Sequence, residues 1–203
     1  MTESLDKQPS DYHNDLQPER LQAIAGLIFG AARSAYHRHE PHRGDDRWSL
    51  GCVRFARIRN LLLDQAKNER WKWFGIVNDS KRLIFSIGVV PVRFCRGRLT
   101  NPPERTLAVW NDEVYQRSLA FPEDKTLANI TWRLLIETGH LGDPTKLVFA
   151  GYTSKRTVYC SWDLEIPAEV LLADAALSNV PKGVEIDEPA VGVKEIATEN
   201  EEK

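Results

Sequence analysis

The sequence contains little cysteine, and the cysteine that it has is scattered. Its three cysteines, Cys52, Cys95 and Cys160, lie more than forty residues apart along the chain. An odd and widely spaced set of thiols forms neither a disulfide framework nor a zinc ribbon, and it is typical of a reducing compartment. The first twenty residues are polar and lack the apolar stretch of a secretory signal. We therefore expect a cytoplasmic protein.

Long hydrophobic runs are also missing. The longest apolar stretch spans residues 21–32 and is interrupted by Gln22. It is shorter than the roughly 20 apolar residues that a helix needs to cross a bilayer. We therefore expect no membrane partner.

Motifs of several enzyme and cofactor-binding classes are absent as well. There is no G-x-S-x-G nucleophile elbow, no H-E-x-x-H zinc motif, and neither of the phosphate-binding loops G-x-G-x-x-G and G-x-x-x-x-G-K-[ST]. RNP, KH and helix-turn-helix signatures are missing too. We expect no cofactor and assign no catalytic residue, and these absences favour a protein that is not an enzyme.

One histidine-rich stretch, residues 34–48, raises the question of a metal site. His37 and His39 are two residues apart, so on a helix they point in nearly opposite directions, and Pro41 ends that helix. The pattern is explained without a metal, because positive charge is favourable at a helix C-terminus and Asp46 is suited to cap the next helix. We expect no metal ligand here.

Two helices are predicted before any strand. Apolar residues recur at three-to-four spacing from Pro18, and a second helix is expected from near Asp46 to about Asn68. After this point the hydrophobic period changes to two, which is typical of strands. Two strand-like runs flank a polar turn at residues 78–81, a third run follows, and three more precede residue 167.

This order of elements predicts an α+β fold. We expect two N-terminal helices packed on one face of a mainly antiparallel sheet of five or six strands, followed by a short C-terminal helix that begins at Pro167. The predicted organisation is a mobile N-terminal segment (residues 1–15), a single α+β domain (16–180) and a disordered acidic tail (181–203).

Charge is unevenly distributed in a chain whose formal net charge is only −2. Residues 33–105 carry 16 basic and 7 acidic side chains, whereas residues 167–203 carry 3 and 9. A basic middle followed by an acidic end is the one compositional indication of a charged partner. We expect the acidic end to compete with that partner for the basic surface, because a tethered anion acts at high effective concentration.

The candidate binding residues are arginines of this basic region and one tryptophan. Arg47, Arg54 and Arg57 share a flank of the second predicted helix, because residues three and seven apart lie on the same face. Guanidinium groups near aromatic rings are suited to phosphate contact and base stacking. The predicted nucleic-acid-binding residues are Arg54, Arg57, Trp71, Arg93, Arg96 and Arg98. Alternatively, these arginines pair with structural carboxylates and the tryptophans fill the core.

The leading hypothesis is a non-enzymatic accessory or regulatory protein whose basic surface contacts nucleic acid or another polyanion. A second hypothesis is a protein-interaction module, such as an antitoxin-like or immunity-like partner, that uses an exposed sheet edge near Pro91, since proline indicates an edge or a bulge. A third is a hydrolase. It would use Glu137, His140 and Asp143, two carboxylates and an imidazole in one predicted loop, for acid–base chemistry.

Overall fold

Two long helices precede a sheet in the computed structural model, which describes residues 7–166. The five α-helices are α1 (Pro18–His37), α2 (Arg47–Gln65), α3 (Glu104–Leu107), α4 (Asn111–Ala120) and α5 (Lys125–Ala128). The six strands are β1 (Phe74–Asn78), β2 (Ile84–Ile87), β3 (Val90–Arg96), β4 (Thr131–Thr138), β5 (Pro144–Tyr152) and β6 (Val158–Leu164). The predicted α+β class is confirmed, and α2 begins directly after its predicted cap, Asp46.

The strands form one sheet in the order β1-β2-β3-β4-β5-β6. Four of the five neighbouring pairs are antiparallel, but β3 and β4 run parallel, with Arg93 opposite Arg133. The sheet is therefore mixed. A parallel pair needs a long crossover, because the chain must return to the end at which the first strand began. Residues 97–130, which contain α3, α4 and α5, supply that crossover.

The sheet edge predicted near Pro91 is not an edge strand, although at Pro91 itself β3 pairs with β2 alone. Pro91 lies in β3, in the interior of the sheet, opposite Ser86 of β2. The pairing of β3 with β4 starts only at Arg93, so Pro91 precedes that ladder and its missing N–H group removes no bond from it. The edge strands are β1 and β6.

One face of the sheet is covered by the two N-terminal helices. α1 contacts β5 and β6, and its buried residues Ile24 and Ile28 belong to the same core cluster as Trp132 of β4. α2 packs on α1, and its Phe55 stacks on Phe94 of β3 with ring centroids 5.6 Å apart. These residues belong to, or pack against, the larger of the two core clusters. Because full burial of an aliphatic side chain contributes about 1.5–3 kcal/mol, this face supplies most of the hydrophobic stabilisation.

The opposite face is covered by the crossover. A smaller core that includes Leu135 and Val148 packs against Leu99 and Leu107 of the crossover. The hydroxyl of Tyr152 donates to the carbonyl oxygen of Leu99 at 2.9 Å, and α4 packs against β3 and β1. These contacts attach the crossover to the sheet directly after β3 ends.

Residues 7–15, part of the segment predicted to be mobile, contact the domain. The Asp15 carboxylate accepts a hydrogen bond from the amide of Val89 at 3.0 Å. That amide follows Gly88, where φ is +57° and where a Cβ atom would lie 1.9 Å from the Asp15 carboxyl group, so only glycine fits. The mobility of residues 1–15 stays a prediction, and this contact counts against it near Asp15.

The histidine-rich stretch forms a helix end followed by a helix start, as predicted. α1 ends at His37, the chain turns through Gly44 with φ of +98°, and Asp46 caps α2. The Nδ1 atom of His39 lies 3.5 Å from a carboxylate oxygen of Asp45. Across residues 7–166, no group of three or more histidine, cysteine, aspartate or glutamate side chains is placed to hold a metal ion.

Two predicted features, the C-terminal helix from Pro167 and the acidic tail at residues 181–203, lie outside the described residues. The C-terminal domain boundary at residue 180 lies outside them too and stays a prediction. In the part of the chain that the structure describes, no helix combines the length and the apolar character that crossing a bilayer requires.

Candidate functional site

A small cavity opens at the end of the sheet where the parallel strands β3 and β4 both stop. After Arg96 the chain leaves the sheet toward α3, whereas after Thr138 it turns back through a short hairpin into β5. The two connections diverge and leave a crevice between them, as happens at the switch points of open parallel sheets. The cavity has a volume of about 290 Å³ and is also bordered by the first turn of α2.

Four arginines line this cavity, and they come from three parts of the chain. Arg47 begins α2, Arg96 ends β3, Arg98 follows β3, and Arg105 belongs to α3. All four side chains are exposed, and none forms an ion pair within residues 7–166. No carboxylate is among the described lining residues. We refer to this site as the arginine cavity, and its uncompensated positive charge favours an anion.

Arg54 lies beside the arginine cavity and is buried, with 3% of its surface exposed. Its Nη2 atom donates to the carbonyl oxygen of Gly142, a lining residue, whereas its Nε and Nη1 atoms have no hydrogen-bond partner within residues 7–166. Burial is the main cause that lowers the pKa of Arg54; the charge of Arg96 lowers it further and the charge of Asp143 opposes the shift. A buried guanidinium with unused donors is costly unless an acceptor reaches it.

The hairpin between β4 and β5 adds backbone donors to the same site. The amide of Gly142 donates to the carbonyl oxygen of Gly139 at 3.1 Å, and Gly142 has φ of +92°, which glycine adopts without strain. The amides of His140 and Leu141, in the middle of this turn, donate no hydrogen bond to any described residue. Both residues line the cavity, so backbone N–H groups are available there beside the guanidinium groups.

Two of the predicted binding arginines hold the fold together instead of facing solvent. Arg57 donates to the carbonyl oxygen of Ser34 at 2.7 Å, and this bond joins α2 to α1. Arg93 donates to the carbonyl oxygen of Ala108 at 2.9 Å, which joins β3 to the crossover. Burial is the main cause that lowers the pKa of both side chains.

Trp71 lies at the opposite end of the sheet from the arginine cavity. It stacks on Trp73 with ring centroids 4.8 Å apart, and Trp73 accepts a backbone hydrogen bond from Gly88, in the turn before β3. Arg96 is at the other end of β3, and a strand rises about 3.3 Å per residue, so roughly 20 Å separates the two. Trp71 is half-buried against the core and does not contribute to the cavity.

Of the six predicted binding residues, the structure brings Arg96 and Arg98 together, with Arg54 beside them. Arg105 is not among the predicted binding residues, and the sequence places Arg47 only on the flank of α2. Both belong to the basic region of residues 33–105, which is the one signal in the sequence that includes them.

The three residues of the predicted acid–base loop do not converge. The Glu137 carboxylate accepts a hydrogen bond from the amide of Leu99 at 3.0 Å, and the Asp143 carboxylate lies against Gly139. Of the three, His140 is the residue that lines the cavity. His140 therefore shares the cavity with arginines, and neither carboxylate is among the described lining residues.

A second group of arginines lies between α4 and the sheet. Arg133 is fully buried and binds both carboxylate oxygens of Glu113, with Nη1–Oε1 at 2.6 Å and Nη2–Oε2 at 3.2 Å. Its Nε atom donates to the carbonyl oxygen of Thr106 at 2.6 Å, and Arg93 and Arg117 also donate to backbone carbonyl oxygens. We refer to the buried residues Arg117, Arg133 and Glu113, together with the half-buried Arg93, as the buried arginine cluster. Each of its arginines has acceptors within the protein.

No protein-family model, curated protein or solved structure matches this chain. What the site can do therefore has to follow from its geometry and charge. Converging guanidinium groups without a carboxylate bind anions, and their planar donors match the oxygens of phosphate.

Proposed function

We propose that the protein is a non-enzymatic, cytosolic accessory or regulatory protein that binds nucleic acid or another polyanion at the arginine cavity. The observation that carries this proposal is a cavity with four arginines and no carboxylate among its described lining residues. An arginine keeps its charge at any physiological pH, so the site attracts anions under all cellular conditions.

Nucleic acid is the polyanion that this protein favours. The region that supplies the four arginines, residues 33–105, carries 16 basic and 7 acidic side chains, so the positive charge of this part of the chain is not limited to the cavity. A long chain of phosphates gains from that wider field, because each phosphate that is neutralised releases condensed counterions. The proposed contact residues are Arg47, Arg96, Arg98 and Arg105.

Binding of a fluorescent single-stranded oligonucleotide of mixed sequence, measured at increasing salt, tests this proposal. The combined substitution Arg96→Gln, Arg98→Gln and Arg105→Gln should weaken binding at low salt. It should also reduce the slope of log K against log salt concentration, since each phosphate contact with a single strand contributes about 0.7 to that slope. The matched control is Arg70→Gln, which removes an exposed arginine at the opposite end of the sheet and should leave the slope unchanged. Equal slopes for the wild type and the triple variant would contradict the proposal.

The acidic end of the chain allows a second arm of the same experiment. Deletion of residues 181–203 should tighten oligonucleotide binding at low salt, because a tethered competitor is removed. The gain should be smaller in the triple variant, where the competitor has lost the same arginines. An equal gain in both backgrounds would mean that the acidic end acts elsewhere.

A second candidate function is a protein-interaction module, such as an antitoxin-like or immunity-like partner. Its support is the outer side of α4, where Val114, Tyr115 and Leu119 are 49%, 66% and 54% exposed. Large apolar side chains gathered on a solvent-facing helix are typical of protein contacts. If this function is correct, the substitutions Tyr115→Ser and Leu119→Ser abolish binding of the protein partner and leave oligonucleotide binding unchanged.

A further inference from the structure

We infer that the arginine cavity selects a terminal phosphate, the monoester at the end of a nucleic acid strand, over the phosphodiesters along the strand. This inference rests on the proposed function and adds the part of the nucleic acid that the site recognises. Its observations are the shape of the cavity, the number of its donors and the side chains that it lacks.

The shape favours a strand end. The volume of about 290 Å³ is at the lower limit of small-ligand pockets. The connection after β3, the hairpin after β4 and the first turn of α2 each supply lining residues, so the cavity is bordered on three sides. A continuous strand needs a groove that is open at both ends, because its backbone enters and leaves. A terminal phosphate needs one opening.

The number of donors exceeds what a phosphodiester uses. A phosphate monoester has three oxygens free to accept hydrogen bonds and a charge of about −1.5 to −2 at neutral pH. A phosphodiester has two such oxygens and a single charge. Guanidinium groups from Arg47, Arg96, Arg98 and Arg105 line one small space, and they match the group with more charge and more acceptors.

Arg54 and the hairpin turn provide hydrogen-bond donors next to the cavity that no described residue uses, in addition to the four lining arginines. The Nε and Nη1 atoms of Arg54 have no acceptor within the described residues although its side chain is buried, and its third nitrogen is bound to a cavity-lining carbonyl. A dianion seated next to Gly142 would offset the charge of this buried guanidinium. The amides of His140 and Leu141, which donate no hydrogen bond to a described residue, lie in the same turn. Successive N–H groups in a turn are a common binding site for phosphate oxygens in proteins.

The cavity also lacks a large aromatic side chain on which a base could stack. None of its described lining residues is phenylalanine, tyrosine or tryptophan, and base recognition in single strands depends mainly on stacking against such rings. The site therefore recognises the phosphate and not the base attached to it. We expect the preference for a terminal phosphate to be the same for every terminal base.

The experiment compares short single-stranded oligonucleotides of one sequence that differ only at their ends. They carry a 5′-phosphate, a 3′-phosphate or two hydroxyl ends, with the fluorophore at an internal position, and binding to the full-length protein is measured by anisotropy. A strand with a terminal phosphate should bind about tenfold tighter than the strand with hydroxyl ends, a difference of about 1.4 kcal/mol. Arg98→Gln with Arg105→Gln should remove this preference, and Arg70→Gln should preserve it.

Inorganic pyrophosphate is the small-molecule arm, measured by its effect on the melting temperature of the wild type and of the Arg98→Gln, Arg105→Gln variant. Oligonucleotide binding without any end preference would overturn the inference and leave the proposed function in place. If no oligonucleotide binds but pyrophosphate stabilises the wild type and not the variant, the phosphate site stands and the nucleic acid function falls. If neither kind of ligand binds, both are overturned.

Discussion

Arg93 and Arg96 are three residues apart in β3, yet they belong to different surroundings. Residues at odd spacing point to opposite faces of a sheet, so Arg93 faces the crossover and Arg96 faces the side on which α2 lies. Arg93 is part of the buried arginine cluster and donates to the carbonyl oxygen of Ala108. Arg96 is exposed at the arginine cavity and has no acidic partner among residues 7–166.

Burial and the available acceptors, and not residue type, decide what an arginine does in this protein. Between α4 and the sheet, every guanidinium group donates to Glu113 or to carbonyl oxygens, and the Nε atom of Arg117 is the only buried nitrogen of these groups without a partner among the described residues, so these groups hold the crossover in place. At the cavity no carboxylate is available among the described lining residues, so the guanidinium groups remain free for a ligand. A change in the cluster should therefore affect stability, and a change in the cavity should affect binding.

The largest expected effect is on stability, from removal of the one carboxylate of the buried arginine cluster. Glu113→Gln leaves the buried Arg133 and Arg117 without a negative charge, and breaking a buried pair in this way costs about 3–5 kcal/mol. Urea denaturation measures this loss. The matched control is Glu104→Gln, which breaks a 2.7 Å pair with Arg156 at the surface and should cost less than about 1 kcal/mol. Similar costs for the two variants would remove the distinction between the regions.

The next effect is on stability at high pH. It links the two regions, because the Tyr152 hydroxyl donates to the carbonyl oxygen of Leu99, the residue that follows Arg98. Burial, with smaller contributions from Cys95 and Glu137, raises the pKa of Tyr152 from 10.0 to about 12. The unfolded chain loses this proton first, so the stabilising contribution of Tyr152 is complete below pH 10 and is lost as the pH rises toward 12. The loss amounts to at most about 1.4 kcal/mol per pH unit.

Comparison with Tyr152→Phe isolates this titration from those of other groups. At neutral pH the variant should be less stable by about 1–2 kcal/mol, since the carbonyl oxygen of Leu99 loses its donor. The difference between the two proteins should shrink above pH 10, because the variant has no phenol to ionise. A difference that stays constant from pH 8 to pH 11.5 would mean that Tyr152 ionises as readily in the folded protein as in the unfolded chain.

The smallest effect is expected for the stability of the cavity variants. Arg98→Gln with Arg105→Gln should change the free energy of unfolding by less than about 0.5 kcal/mol, because both side chains are exposed and neither forms an ion pair with a described residue. The matched change in the buried arginine cluster, Arg117→Gln, should lower the free energy of unfolding by clearly more than the cavity variant does. A loss above about 2 kcal/mol in the cavity variant would assign these arginines a structural role and withdraw the proposed contact set.

Much of the fold follows from periodicity and capping signals. Pro18 and Asp46 mark the starts of α1 and α2. The spacing of apolar residues then changes from three or four residues to two, and this change marks the beginning of the sheet. These signals are local, because a helix cap or an alternating strand is specified within a few residues. The strand-like runs correspond to β1 through β6 for the same reason.

The packing of the crossover could not be predicted in the same way. α4 buries Glu113 and Arg117 and exposes Val114, Tyr115 and Leu119, which is the reverse of the pattern that identifies an amphipathic helix. Its burial is stabilised by ion pairing with Arg133, a residue in a different element. Hydrophobic periodicity does not record such a contact, so the parallel pairing of β3 with β4 was missed as well.

The sequence by itself determined the helices, the strand-forming runs and the concentration of arginine in residues 33–105. The tertiary structure alone decided which arginines are free. An arginine carries the same charge wherever it stands in the chain, but its acceptors come from remote segments. Arg54 reaches Gly142, 88 residues away, and Arg133 reaches Glu113, 20 residues away. The arginine cavity exists because β3 and β4 end side by side and their connections then diverge, which only the folded sheet brings about.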